Sequence, residues 1–393
     1  MQRRQFLNRA GLISLAPFPA AFGSLCASEA QTDGRILVVI QLSGGNDGLN
    51  TIVPYSDELY AKHRQELRLL SDRLHKIDDQ VALHPSMREA AEMLEEGRLA
   101  IVQGVGYPHP NRSHDVSMAI WHSASLDRLK HSGYGWLGQA MDEYEEDLGG
   151  APHMVLLGDE NPPLAIRGRK STTVAMEHLH DLTLTMPIAT SSTPTVGSKD
   201  SLLDFATATN STAVQTAQLI QRITEGDGTT ASYPATQLAT RLQSIASLIK
   251  SGFATPIYYA IQSGYDTHSA QLPTHARLLR ELSSGMKAFH DDLDSAGLGD
   301  RVVTLCFSEF GRRVQENASM GTDHGAAGPI FLAGKAVLSG VLGIQPSLQD
   351  LDEGDLRMQV DFRNIYASIV QDWLGVESKS KLIDENGHFK IFS

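Results

Sequence analysis

Five short segments carry side chains able to bind a metal or move a proton. After the apolar run Ile36 to Leu42 comes Ser43-Gly44-Gly45-Asn46-Asp47-Gly48-Leu49-Asn50. After Pro256 to Ile261 comes Gly264-Tyr265-Asp266-Thr267-His268, and after Val302 to Phe307 comes Ser308-Glu309-Phe310-Gly311-Arg312. Thr322-Asp323-His324-Gly325 precedes the run Pro329 to Leu332, and Asn111-Arg112-Ser113-His114-Asp115 follows Leu99 to Gln103. Carboxylates and imidazoles in such sets suit divalent metals such as Zn²⁺ or Mn²⁺. Each segment alone also has a plainer reading. Gly44 to Gly48 is turn chemistry, Asp323-His324 is a helix cap beside a surface histidine, and Arg312 is an ion-pair partner for Glu309 or Asp323. No Gly-Lys-Ser/Thr follows Gly44-Gly45, so the loop is not a P-loop. The joint placement favours chemistry, because these residues fall at predicted carboxyl ends of strands, or on adjoining loops, where open α/β sheets gather ligands.

The elements that position them follow from the apolar pattern. Short continuous runs at Ile36 to Leu42, Leu99 to Gln103, Met154 to Leu157, Pro256 to Ile261, Val302 to Phe307 and Pro329 to Leu332 read as strands buried on both faces, as in a parallel sheet. Helical periodicity lies between them, over Met87 to Glu96, Ser113 to Ser123, Gly135 to Glu145, Ala235 to Lys250, Leu272 to Ser295 and Phe362 to Trp373. Alternating strand and helix predicts a doubly wound α/β fold with helices on both faces of a mostly parallel sheet. Residues 171–230, rich in Ser, Thr and Ala, read as a mostly helical insertion beside the sheet or over the site.

The same five segments, in this order from about residue 35 to 345, resemble an exported, uncharacterised family, domain of unknown function 1501, grouped with the alkaline phosphatase-like superfamily. The resemblance implies an alkaline phosphatase-like α/β domain over residues 31–393. It also implies two divalent metal ions at the strand ends, with a Ser or Thr nucleophile between them. By position it makes Asp47, Asp266, His268, Glu309, Asp323 and His324 metal ligands. It places Ser113 as nucleophile at the start of a helix, with Arg112, His114 and Arg312 stabilising charge or moving protons. The sequence departs from the superfamily pattern in several places. Asp266 and His268 are only one residue apart, Phe310 stands where a His would follow Glu309, and Ser117 competes with Ser113. His114 and Asp115 are further candidate ligands. Pro108 occupies the Cys/Ser position of the sulfatase signature before Pro110-Asn111-Arg112, which argues against a formylglycine sulfatase. The expectation is an exported metal-dependent hydrolase of a phosphate or sulfate ester, its ions drawn from Zn²⁺, Mn²⁺, Mg²⁺ or Ca²⁺. The alternative is a non-catalytic binding or assembly protein that keeps the fold and a structural metal.

Residues 1–30 read as a signal peptide. Arg3-Arg4 with Phe6-Leu7 behind them, a modest apolar stretch from Ala10 to Leu25 and small residues at Ser28 and Ala30 fit twin-arginine export to the periplasm or beyond. Pro17 and Pro19 interrupt the stretch, which is short for a membrane span, so no transmembrane anchor is expected. The 393-residue chain carries a net charge of -13. Arg3, Arg4, Arg9 and Glu29 give the leader +2, leaving the rest near -15. Such acidity disfavours nucleic acid and suits cation binding. Of the two cysteines, Cys26 lies in the leader, so Cys306 has no partner for an internal disulfide.

Overall fold

The computed structural model describes residues 34–127, 133–179, 231–377 and 387–393. The expected leader and residues 180–230 of the expected insertion lie outside these. Strand β1 (Ile36–Ser43) is the centre of a nine-stranded sheet. The others are β2 (Leu99–Gly106), β3 (Met154–Leu157), β4 (Thr173–Met176), β5 (Ile257–Ser263), β6 (Val302–Phe307), β7 (Gly328–Ala333), β8 (Gly340–Leu342) and β9 (Val360–Asp361). Their order is β8-β2-β7-β6-β1-β5-β3-β4, with β9 also paired to β2. Every pairing is parallel except the two made by β7, which runs antiparallel to both β2 and β6.

Both faces are covered, as the unbroken apolar runs require. Along β1, Leu37 and Val39 enter one core layer, while Ile36, Val38, Ile40 and Leu42 enter the other. The second layer holds helices α2 (Arg88–Glu95), α5 (Gln237–Lys250) and the 25-residue α6 (Gln271–Ser295). Helix α6 buries His275, Leu278, Leu279, Leu282, Met286, Phe289 and Leu293, the i, i+3, i+4, i+7 stripe of an amphipathic helix. The first layer holds α3 (His114–Ser123), α4 (Trp136–Met141) and α7 (Phe362–Ser368). Aromatic stacking ties it together, with Trp121 on Phe362 at 4.4 Å and Trp136 on Tyr366 at 3.8 Å between ring centroids. The helix expected to run on to Trp373 changes to a π-turn at Ile369–Trp373.

This topology decides where the five segments meet. Loops after β1, β2, β5 and β6 all leave the carboxyl edge of the sheet. Because β7 is antiparallel, the segment that precedes it, Thr322 to Gly325, reaches that same edge. Gly44 (φ +122°) lets the β1 loop touch the β5 loop, since a Cβ there would collide with the backbone nitrogen of Asp266. Among the described residues, no helix is long and apolar enough to cross a membrane.

Candidate metal centre

Three imidazoles and one carboxylate converge at this edge. Oδ1 of Asp266 lies 3.0 Å from Nε2 of His268, 3.1 Å from Nε2 of His324 and 3.5 Å from Nε2 of His114. The two nitrogens of His268 and His324 are 2.9 Å apart. His114, Asp266 and His324 form a group whose ligand atoms all lie within 4.8 Å of one another.

The other ring nitrogens fix the tautomers. Nδ1 of His324 faces the carbonyl oxygen of Arg112 at 2.7 Å, an atom that can only accept, so Nδ1–H donates. Nδ1 of His268 faces Asp323 Oδ1 at 3.2 Å, and Nδ1 of His114 faces Glu309 Oε1 at 2.8 Å. Each ring spends its N–H on an acceptor outside the cluster and turns a bare Nε2 lone pair inward. Lone pairs 2.9 Å apart repel unless a cation lies between them or a ring takes up a proton. Among the described residues, the buried Nε2 of His114 has no hydrogen-bond partner. Metal-bound histidines show this same outer arrangement, an N–H held by a carboxylate or a backbone carbonyl. The spacings bracket the edge of roughly 3.3 Å expected between ligand atoms of a tetrahedral site with ~2.0–2.1 Å metal–nitrogen bonds. The donor set therefore fits a divalent cation, with His114, Asp266 and His324 as the residues that would hold it and His268 beside Asp266 and His324.

Electrostatics keep the carboxylate charged. Partial burial raises the Asp266 pKa, but the hydrogen bond and charge of the Arg312 guanidinium oppose it, and the value comes down to about 2. Hydrogen bonding to Glu309 raises the pKa of His114 against the opposing effect of burial. The group stays open to solvent, with the Asp266 side chain 46% and that of His268 43% exposed.

The structure distributes the other expected site residues differently. Asp47 does not join the group. Its carboxylate is fully buried and accepts from Arg64 at 2.5 and 2.9 Å and from Gln271 at 2.5 Å. Burial alone would raise its pKa, yet the Arg64 guanidinium holds it below the ordinary value. Arg64 caps the carboxyl end of α1 (Glu58–His63) and also donates to the carbonyls of Val314 and Arg313. No motif near Asp47 announces that pairing. Glu309 and Asp323 sit behind the imidazoles. Glu309 accepts from His114 and from the Gly44 backbone N–H at 2.9 Å, which leaves it no free face toward the cluster through Oε1.

Arg312 is a tether. It is wholly buried, and donates to the carbonyls of Gly44, Gly45, Tyr265 and Thr322 and, at 2.7 Å, to Asp266. It pins three loops and aims Asp266, and its side chain is 0% exposed, which keeps it from a substrate anion. The Arg112 side chain turns away to Asp355, at 2.8 and 2.6 Å, while its carbonyl serves His324. Ser117 is buried, donating to the Glu309 carbonyl and accepting from Tyr107 at 3.0 Å, so its hydroxyl is spent. Ser113 is exposed at the N-cap of α3, and its hydroxyl makes no cap hydrogen bond.

Fold and site together define an α/β protein with a convergent histidine and carboxylate cluster at the carboxyl edge of its sheet. The chain belongs to the family described as "Protein of unknown function (DUF1501)", whose sequence pattern matches residues 35–385. No curated protein matches it. Among solved structures it is similar to a protein in the alkaline phosphatase superfamily from Vibrio parahaemolyticus, at 10% identity and a TM-score of 0.40, covering 90% of this chain and 69% of that one. It is similar to the PsFucS1 sulfatase from Pseudoalteromonas sp., at 9% identity and a TM-score of 0.40, covering 91% and 70%. A third is the C-terminal periplasmic domain of EcEptC from Escherichia coli in complex with Zn, at 9% identity and a TM-score of 0.38, covering 77% and 73%. Likenesses this loose say nothing about the chemistry of the present chain.

Proposed function

We propose that the chain is an exported, metal-dependent hydrolase of a phosphate or sulfate ester. The observation that carries this reading is the convergence of three imidazole Nε2 lone pairs on Asp266, each imidazole held in its tautomer from outside. A divalent ion bound there supplies Lewis acidity toward an ester oxygen and lowers the pKa of water. The chain's own residues do the rest. Glu309, Asp323 and the Arg112 carbonyl orient the imidazoles, and Arg312 fixes Asp266. Ser113 offers an unbonded hydroxyl one residue before His114, at a helix N-terminus that favours anions, and is our candidate nucleophile. Three mutually close donors, His114, Asp266 and His324, leave a fourth tetrahedral position for water or substrate, which supports catalysis over a purely structural ion.

The resemblance assigns two ions, whereas the geometry supports one, because Asp47 is committed to Arg64. Turnover of aryl phosphate, aryl phosphodiester and aryl sulfate esters by the metal-loaded chain tests the activity. Ser113→Ala should lower that turnover by roughly a thousandfold or more while melting temperature and metal content stay put. Retained turnover would remove Ser113 from the mechanism, and no turnover of any of the three esters by metal-loaded protein would contradict the hydrolase reading. Export rests on Arg3-Arg4. Replacing both by lysine should trap the precursor inside the cytoplasm, and an unchanged exported yield would refute twin-arginine transport.

A further inference from the structure

Arg112 links the cluster to a second feature. Its backbone carbonyl holds His324, and its side chain lines a cleft of about 540 Å³. The walls are Gly106 to Pro110, Ala326-Ala327, and the hairpin Leu351–Leu356 with Met358. That volume falls in the range of small-molecule pockets.

The cleft's charges nearly cancel. Arg112 and Arg357 line it with Asp352, Glu353 and Asp355, a net of one negative charge, and Arg313 binds the same hairpin through the Glu353 carbonyl at 2.6 Å. An anion entering here would meet Glu353 and Asp352, and a cation would meet the two arginines. A neutral ligand able both to donate and to accept meets neither penalty. The donors and acceptors are also held ready. Buried Asp355 grips Nε and Nη2 of Arg112, leaving Nη1 without a partner among the described residues. Glu353 sits at a left-handed φ of +51° with its side chain 78% exposed, one carboxylate oxygen 3.4 Å from Nη2 of Arg112 and the rest open to the cleft. Guanidinium donors beside carboxylate acceptors match the paired hydroxyls of a polyol. Pro108, Pro110 and the half-exposed Met358 add apolar surface for the C–H face of a ring.

We propose that this cleft binds a neutral, polyhydroxylated group, a sugar or sugar-like alcohol, and that it seats the alcohol part of the ester while the cluster faces the acid part. The substrate assignment rests on the hydrolase reading, whereas the binding of a neutral sugar does not, so the two can fail separately. The experiment uses the full mature chain stripped of metal, with saturation-transfer NMR against methyl glucoside, methyl galactoside, methyl mannoside and myo-inositol. Acetate and methylammonium serve as charged controls. At least one neutral polyol should show transfer and the two ions none. Met358→Trp, which fills the cleft, and Glu353→Gln, which removes an acceptor, should each weaken the binding by about tenfold or more. Both should leave metal uptake at the cluster unchanged. Absence of transfer from all four polyols, equal transfer from the charged controls, or binding that survives both substitutions would overturn the proposal. Sugar binding by a chain that takes up no metal would keep the cleft and refute the hydrolase.

Discussion

Asp47 and Asp266 leave the same edge of the sheet, from the neighbouring strands β1 and β5, and their surroundings assign them opposite roles. Asp47 is fully buried and accepts from one guanidinium and one amide, so its charge is neutralised within the fold. Asp266 is half exposed, is touched on one side by Arg312, and faces three imidazoles that present lone pairs. A carboxylate closed off by arginine braces the loops, while one surrounded by bare imidazole nitrogens is a place for a cation. Position on the fold selects the neighbourhood, and the partner type decides the chemistry.

The comparison predicts a double dissociation. Asp47→Ala leaves Arg64 charged and unpaired in the interior, which should cost about 3–5 kcal/mol of unfolding free energy in a denaturant titration. The folded fraction should still bind metal. Asp266→Asn, whose amide oxygen still accepts from Arg312, should do the reverse, with the smaller change in stability and loss of the ion. An Asp47→Ala protein that unfolds like the parent but loses metal would invert the two roles.

Glu309→Gln probes the outer layer. The amide keeps the shape but weakens the hold on His114, and metal affinity measured by competition with a chelator should fall by about 10–100-fold. An unchanged affinity would mean that His114 does not need that carboxylate, and would loosen its claim as a ligand.

The smallest effect is the pH dependence of the Asp47–Arg64 pair. The folded pKa of Asp47 lies below its unfolded value of about 3.9, so the pair stabilises the fold fully above that value. The contribution is lost as pH falls through the folded pKa. Melting temperature should therefore be insensitive to this pair at neutral pH and fall on the acid side of about pH 4. Asp47→Asn should flatten that acid limb, and an acid limb as steep as the parent's would show that other carboxylates govern it.

Much of this was legible before any coordinates. The six strands at the heart of the sheet were visible because burial on both faces forces continuous apolar runs. Thr173–Met176, Gly340–Leu342 and Val360–Asp361 were missed, being two to four residues long at or near the sheet's margins. The strand-end pattern brings Asp47, Asp266, His268, Glu309, Asp323 and His324 to one edge but does not say which of them face one another, and it leaves His114 open between base and ligand. The sequence did not show direction. Spacing cannot tell a guanidinium that faces a ligand from one that ties loops together, which is why Arg312 and Arg112 read as anion contacts. It cannot tell a carboxylate that points into the cluster from one that holds an imidazole from outside, as Glu309 holds His114 and Asp323 holds His268. The partner of Asp47 lies 17 residues away at a helix end that carries no motif.

The central claim is that His114, Asp266 and His324, with His268 beside them, hold one divalent cation. Elemental analysis of the purified mature chain, repeated after chelation and reloading with Zn²⁺, tests it most directly, with His324→Ala as the paired variant. The account predicts one ion per chain in the parent and a near-empty His324→Ala protein that still folds. A parent that takes up no divalent metal, or a folded His324→Ala protein that retains a full equivalent, would contradict it.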